Sequence, residues 1–242
     1  MQGRRGGRRR GGRYREIYAY VLDFLPSGNP EDRHPVHRTR PVVQLIGEDY
    51  FTLMEASPRP GAQLEVGERV YVGPVAEERL KIAKVDFDIE YEDLTGFAKG
   101  MLPQVVEEIV RSREQVFVEF FNIAGPITLR FHSLELLPGI GKKTVMRILE
   151  RREKEGPFKS FGEIRKVIHA DPAKVIAERI VEEVKGGQKY YLFVRPPRRE
   201  REQPVPPVFL DYLSRIYERL GLRREAPQGK GRSGGSRWAG PG

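Results

Sequence analysis

The chain contains no cysteine, which excludes disulfides, thiolate nucleophiles and Cys-based zinc sites together. Histidine is scarce as well. Of the four, His34, His37, His132 and His169, only His34 and His37 stand close in sequence, and without a fitting third ligand they read as a surface-loop pair, so no metal and no cofactor are expected. No apolar run approaches the ~20 residues of a spanning helix, and none follows the Arg- and Gly-rich opening segment. A soluble, cytoplasmic protein without membrane contact is expected. No Ser-His-Asp arrangement, Walker-type phosphate loop or paired-carboxylate motif can be identified, so the chain is not expected to be an enzyme.

Positive charge, by contrast, is plentiful and unevenly placed. The sequence pI of about 9.7 and net charge of +9 point to a polyanionic partner. Residues 1–15 hold seven arginines and no acid, and residues 195–242 hold eleven basic against five acidic residues. Residues 16–100 are acidic, with nine basic against sixteen acidic side chains, whereas residues 126–194 are basic, with fourteen against nine. The charge that would meet a polyanion therefore lies in both tails and in the 126–194 region.

The patterning predicts an α+β chain. Residues 1–15 are low-complexity Arg/Gly sequence without apolar area to bury, a disordered cationic arm. Five short strands are expected within 16–94, around Ile17 to Phe24, then 42–46, 50–54, 70–73 and 80–89, forming a small β-barrel. Between the first two lies a long exposed loop carrying Arg33, Arg38 and Arg40. Residues 95–125 are expected to hold a helix, with Pro103 in its first turn, and a short apolar strand at 115–121. Helices are expected at 126–137, 142–155, 161–168 and from Asp171-Pro172 to about Lys185, followed by a strand at 190–194. Residues 195–207, with five prolines, read as an extended linker. Residues 208–222 carry one apolar stripe on a helix of about four turns, able to dock on the body or on a partner. Residues 223–242 are again a basic, disordered tail.

The most specific stretch is Leu136-Leu137-Pro138-Gly139-Ile140-Gly141-Lys142-Lys143-Thr144. Two glycines one residue apart permit a tight reversal and close approach of backbone to a ligand. A helix start follows at once, so its free amides and dipole would receive phosphate oxygens, with Lys142, Lys143, Arg147 and Arg151 adding salt-dependent attraction. Such contacts fix a strand without reading its sequence. Elsewhere, Tyr18, Tyr20, Tyr50, Phe51 and Tyr71 are either base-stacking groups or core. Asp86, Asp88, Glu90 and Glu92 alternate along a strand as a solvated acidic face.

Residues 134–168 closely resemble the helix-hairpin-helix motif, in which a helix, an apolar residue, Pro-Gly-Ile/Val-Gly and a Lys-led helix follow one another. The connector from Arg152 to Ile164 resembles that of DNA-binding proteins with two such motifs in tandem, but Ile168-His169-Ala170-Asp171 replaces the second Gly-x-Gly. Residues 16–194, and above all Pro126 to Leu137 leading into the hairpin, resemble an uncharacterised archaeal family of predicted nucleic-acid-binding proteins that join an OB-like barrel to this motif. The resemblance implies a five-stranded OB-like barrel followed by a helix-hairpin-helix domain, and RNA or DNA as partner. Arg/Gly tails favour RNA, whose unpaired bases offer stacking surfaces to guanidinium planes. The other class of function is an adaptor whose acidic barrel docks basic ribosomal or transcription proteins.

Overall fold

The computed structural model describes residues 16–222; the Arg/Gly arm and the basic tail of the sequence reading lie outside the described residues. Five strands form, four of them where alternation placed them: β1 (Tyr18–Leu25), β2 (Val42–Gly47), β3 (Leu53–Pro58, later than the expected 50–54), β4 (Arg69–Tyr71) and β5 (Ile82–Asp88). All pairings are antiparallel, in the order β4-β1-β2-β3-β5. Among the described residues no ladder joins β4 to β5, so the expected barrel is an open, curled sheet. Register shifts in β1 and β5 mark the bulges that curl it.

Both faces of this sheet are covered, which explains why β2 is buried at every position. Ala19, Val21, Val43, Leu45, Met54 and Ala56 pack inside the curl. Tyr20, Leu22, Ile46, Phe51 and Leu53 face the helices and join a cluster that continues to Tyr217. One apolar core thus links the sheet to the helical part.

The first helix, α1 (Gly96–Ser112), starts earlier than Pro103, because the Thr95 side chain accepts from the Ala98 amide and caps it. Pro103 lies inside the helix rather than in its first turn. The segment read as a strand at 115–121 is instead α2 (Glu114–Ile123). Its aromatic and β-branched content favours a strand, yet tertiary packing decides otherwise: Phe117, Phe120 and Phe121 are buried, and the few polar residues grip the chain at 158–161. Asn122 both donates to the Phe158 carbonyl and accepts from its amide, and Glu114 accepts from the Phe161 amide.

The helix expected at 126–137 is not formed. Residues there build a two-stranded hairpin, β6 (Pro126–Thr128) with β7 (Phe131–His132), followed by a 3-10 turn at Ser133–Leu136. The helices α3 (Lys142–Glu155), α4 (Phe161–Ile168) and α5 (Pro172–Lys185) agree with the periodicity. Ser160 caps α4 by accepting from the Glu163 amide.

The 195–207 segment is not a free linker. After the two-residue strand β8 (Tyr190–Tyr191), shorter than expected, it folds back and forms the short helix α6 (Arg198–Arg201). Glu200 accepts from Tyr191 Oη and the Gly187 amide, and Arg199 pairs with Glu92. Strand β9 (Val208–Phe209) pairs in parallel with β8, and α7 (Tyr212–Arg219), two turns rather than four, docks on α2. Tyr212 packs edge-on to Phe120 at 4.9 Å and its hydroxyl bonds Ser133. The apolar stripe thus meets the body of its own chain.

Candidate nucleic-acid interface

The Gly-x-Gly turn stands open on the surface between the 3-10 turn and α3. Leu137 and Ile140 are buried and anchor it, and the Ile140 amide donates to the Leu137 carbonyl. Gly139 has φ +73°, a conformation that disfavours any side chain. Gly141 is the N-cap of α3 with φ −94° and ψ 175°, and its carbonyl accepts from Thr144 and Val145. The amides of Gly139, Gly141, Lys142 and Lys143 meet no protein acceptor among the described residues. A methyl group on either glycine would project into open space. Four main-chain donors without acceptors and the positive end of a 14-residue helix therefore lie at one exposed turn.

The surrounding charges give the turn a direction. Lys142, Lys143 and Arg147 are exposed and Thr144 is half-buried, with Arg147 donating to the Thr144 hydroxyl. On the other flank Glu135 and Glu182 line the shallow recess beside Pro138 and Gly139. Glu135 is engaged in accepting from the His132 amide. An anion is thus met from the α3 side. Burial, then Arg152, hold the His132 imidazole below its ordinary range against the opposing pull of Glu135, in keeping with a ring whose Nδ1 accepts from the Leu134 amide.

Other residues singled out by sequence take different places. Arg151, expected to add attraction to phosphate, turns inward: it donates to the Gly156 carbonyl, pairs with Glu163 at 3.0 Å and lies over the Phe158 ring. Arg152, next along α3, is half-buried and donates to the Ala124 carbonyl. In the β1–β2 loop Arg33 pairs with Asp93 at 3.0 Å, Arg38 donates to the Asp32 carbonyl, and Arg40 is exposed. These three arginines belong to a different element from the turn. Of the aromatic residues singled out by sequence, Tyr20 and Phe51 are core, Tyr50 packs on Tyr217, and Tyr18 lies between Tyr71 and the Arg69 guanidinium.

The second turn, between α4 and α5, repeats the backbone of the first with different chemistry. His169 takes the left-handed position of Gly139, with φ +58°, and Asp171 takes the N-cap position of Gly141. The Asp171 carboxylate accepts from the Ala173 amide and pairs with Arg111 at 2.5 Å. A built-in anion fills the place that the first turn leaves open.

The surface-loop reading of the two neighbouring histidines does not hold. His37 is fully buried and His34 is half-buried, and both rings reach Glu55 of β3 and Asp32 of their own loop. Sequence reasoning missed Asp32, Glu55 and Asp86 as their neighbours, since strand pairing brings Glu55 and Asp86 there. The four alternating acids do not share one role either: Asp86 accepts from Ser57 and lies 3.4 Å from His37, Glu90 caps the 3-10 turn Tyr91–Asp93, and Glu92 pairs with Arg199.

Among the described residues, a curled antiparallel sheet joined through one core to seven helices, with an open Gly-x-Gly turn, defines an α+β protein. Residues 15–195 match the model of the DUF655 family, described as "Protein of unknown function (DUF655)", and the chain belongs to that family. It is 46% identical over 182 residues to "Uncharacterized protein MJ0038" of Methanocaldococcus jannaschii, covering 74% of this chain and 80% of the relative. It is similar to the crystal structure of Af1531 from Archaeoglobus fulgidus, with a TM-score of 0.66 and 46% identity over 74% of this chain and all of that one. Among the described residues no helix is long and apolar enough to cross a membrane.

Proposed function

We propose that this protein is a non-enzymatic, largely sequence-independent nucleic-acid-binding protein, RNA preferred over DNA, that grips a strand by its phosphates at the Gly139 to Lys143 turn. The observation that carries this reading is the set of exposed amides without acceptors at the start of α3, flanked by Lys142 and Lys143. In this reading the turn and α3 are a helix-hairpin-helix module whose leading helix has contracted to the Ser133–Leu136 3-10 turn. Its tandem partner, with Asp171 occupying its own N-cap, is silent. The sheet is an OB-like unit lacking the closing ladder, and its acidic composition leaves the arginines of the β1–β2 loop as its contribution to a polyanion. Phosphate contact explains why no base-reading surface is needed.

The test compares the chain with a Gly139→Val, Lys142→Ala, Lys143→Ala variant, each with and without residues 1–15 and 223–242, in binding generic single-stranded RNA and DNA at moderate salt. The reading predicts that the variant binds at least ~10-fold more weakly, more visibly without the tails, because phosphate contacts dominate affinity. Unchanged affinity in a folded variant overturns it.

A further inference from the structure

The strongest unassigned chemistry lies under the β1–β2 loop. Residues 26–41 double back on themselves: Gly28 has φ +86°, and a β-carbon there would sit 2.6 Å from the His37 carbonyl oxygen. The Asn29 amide donates to that same oxygen, and the His34 amide donates to Asp32 Oδ1 at 2.7 Å. The 3-10 turn Pro35–His37 then brings the two imidazoles to one side of the loop. They close on Glu55, which is 1% exposed. Gln44 donates to Glu55 Oε1 at 3.1 Å, which turns Oε2 toward the histidines.

The geometry points to a cation. His34 Nδ1 and His37 Nδ1 each lie 3.0 Å from the single Oε2 of Glu55, His34 Nδ1 lies 3.3 Å from Asp32 Oδ1, and His37 Nδ1 lies 3.5 Å from Asp32 Oδ2. One ligand atom from each of the four residues falls within 4.8 Å of every other. Bonds of about 2.0–2.2 Å to a tetrahedral metal would separate its ligands by about 3.3–3.6 Å, the range these contacts straddle. Two further observations point the same way. Asp32 Oδ2 is buried with no hydrogen-bond partner, a costly state for a carboxylate oxygen unless a cation meets it. His37 Nε2 faces Asp86 Oδ2, an acceptor already holding the Ser57 hydroxyl. That contact assigns the proton to Nε2 and leaves the Nδ1 lone pair aimed into the cluster, the carboxylate–histidine arrangement that supports metal ligands.

We infer that Asp32, His34, His37 and Glu55 form a structural site for one divalent first-row transition ion of the zinc class. Two imidazoles select against calcium and magnesium, which prefer all-oxygen shells. Two carboxylates balance the dication. Four protein ligands in a largely buried cluster leave no position for substrate, so the ion fastens the loop to β3 rather than performing chemistry. The sequence hides this site, because its motif Asp-x-His-x-x-His lacks the fourth ligand until β3 pairs with β2.

The test uses the full chain, stripped with chelator and dialysed, then titrated with Zn²⁺ and with Co²⁺. The expected result is one ion bound per chain, visible d–d bands of four-coordinate Co²⁺, and a melting temperature that rises with Zn²⁺. His34→Gln, at the most exposed ligand, should lower affinity at least ~10-fold while the chain stays folded, and Asp86→Asn should lower it ~10–100-fold without removing a ligand. Absence of saturable Zn²⁺ binding by the folded chain overturns the inference. So does equal affinity in His34→Gln, or a six-coordinate Co²⁺ spectrum, either of which would leave the cluster a hydrogen-bonded network. RNA binding is not read in this experiment, so its outcome is separate from that of the turn.

Discussion

At the scale of single residues, the two glycines of the turn do different work. Gly139 is required by its left-handed backbone and Gly141 is not, since its φ is negative and the space beside each is open. Gly139→Ala should therefore destabilise the fold by about 1–2 kcal/mol through backbone strain. Gly141→Ala should leave denaturation midpoints nearly unchanged and still weaken nucleic-acid binding, because its methyl group occupies the approach to the amides. Chemical denaturation and RNA titration of both variants check this; equal stability loss in the two would contradict the assignment. His132 gives a pH signature. Its imidazole is held below the ordinary 6.5 by burial and then by Arg152, so the folded state favours the neutral ring. The stability it contributes is complete above that ordinary value and is lost as pH falls through the folded-state value. The native chain should lose more stability than His132→Asn between about pH 7.5 and about pH 5.5, measured by urea denaturation at each pH; parallel losses would refute it.

At the scale of elements, α5 owes its position to one carboxylate. Glu183 is fully buried and accepts from the amides of Leu192, Phe193 and Val194 and from Arg179 Nε at 2.8 Å. Glu183→Ala would leave three amides and Arg179 Nε without their acceptor, and should cost about 3–5 kcal/mol, readable as a fall in denaturation midpoint; a loss below about 1 kcal/mol would contradict the role. Elements also show what the sequence could and could not reveal. Alternation placed four of the five strands and the neighbourhood of β3, and the helix starts expected at 142, 161 and Asp171-Pro172 agree with the structure, whereas the start of α1 was misjudged from Pro103. The α2 segment was misread because its run of Val and Phe carries the β-branched and aromatic bias of a strand. Its signal lay in the polar residues Gln115, Glu119 and Asn122, whose spacing follows helical turns. The β6–β7 hairpin was misread because three-residue and two-residue strands are too short to show a period. Pairing of Glu55 with the loop histidines is non-local, and no spacing encodes it.

At the scale of the whole molecule, the charge pattern and the architecture divide the labour. The sheet side is acidic and is sealed on both faces by its own core, while the free donors and lysines lie at the start of α3. Residues 196–222 extend past the family match yet complete the fold, through the β8–β9 pairing and the seat of α7 on α2. The Gly-x-Gly turn remains open within that completed fold, and the account depends on its amides meeting phosphate. The most direct measurement is a titration of the isotope-labelled full chain with short single-stranded RNA, followed through backbone amide resonances. The amides of Gly139, Gly141, Lys142 and Lys143 should shift first and saturate together, with those of the Asp171 turn unmoved. RNA binding that perturbs other residues while these four stay still would contradict the account.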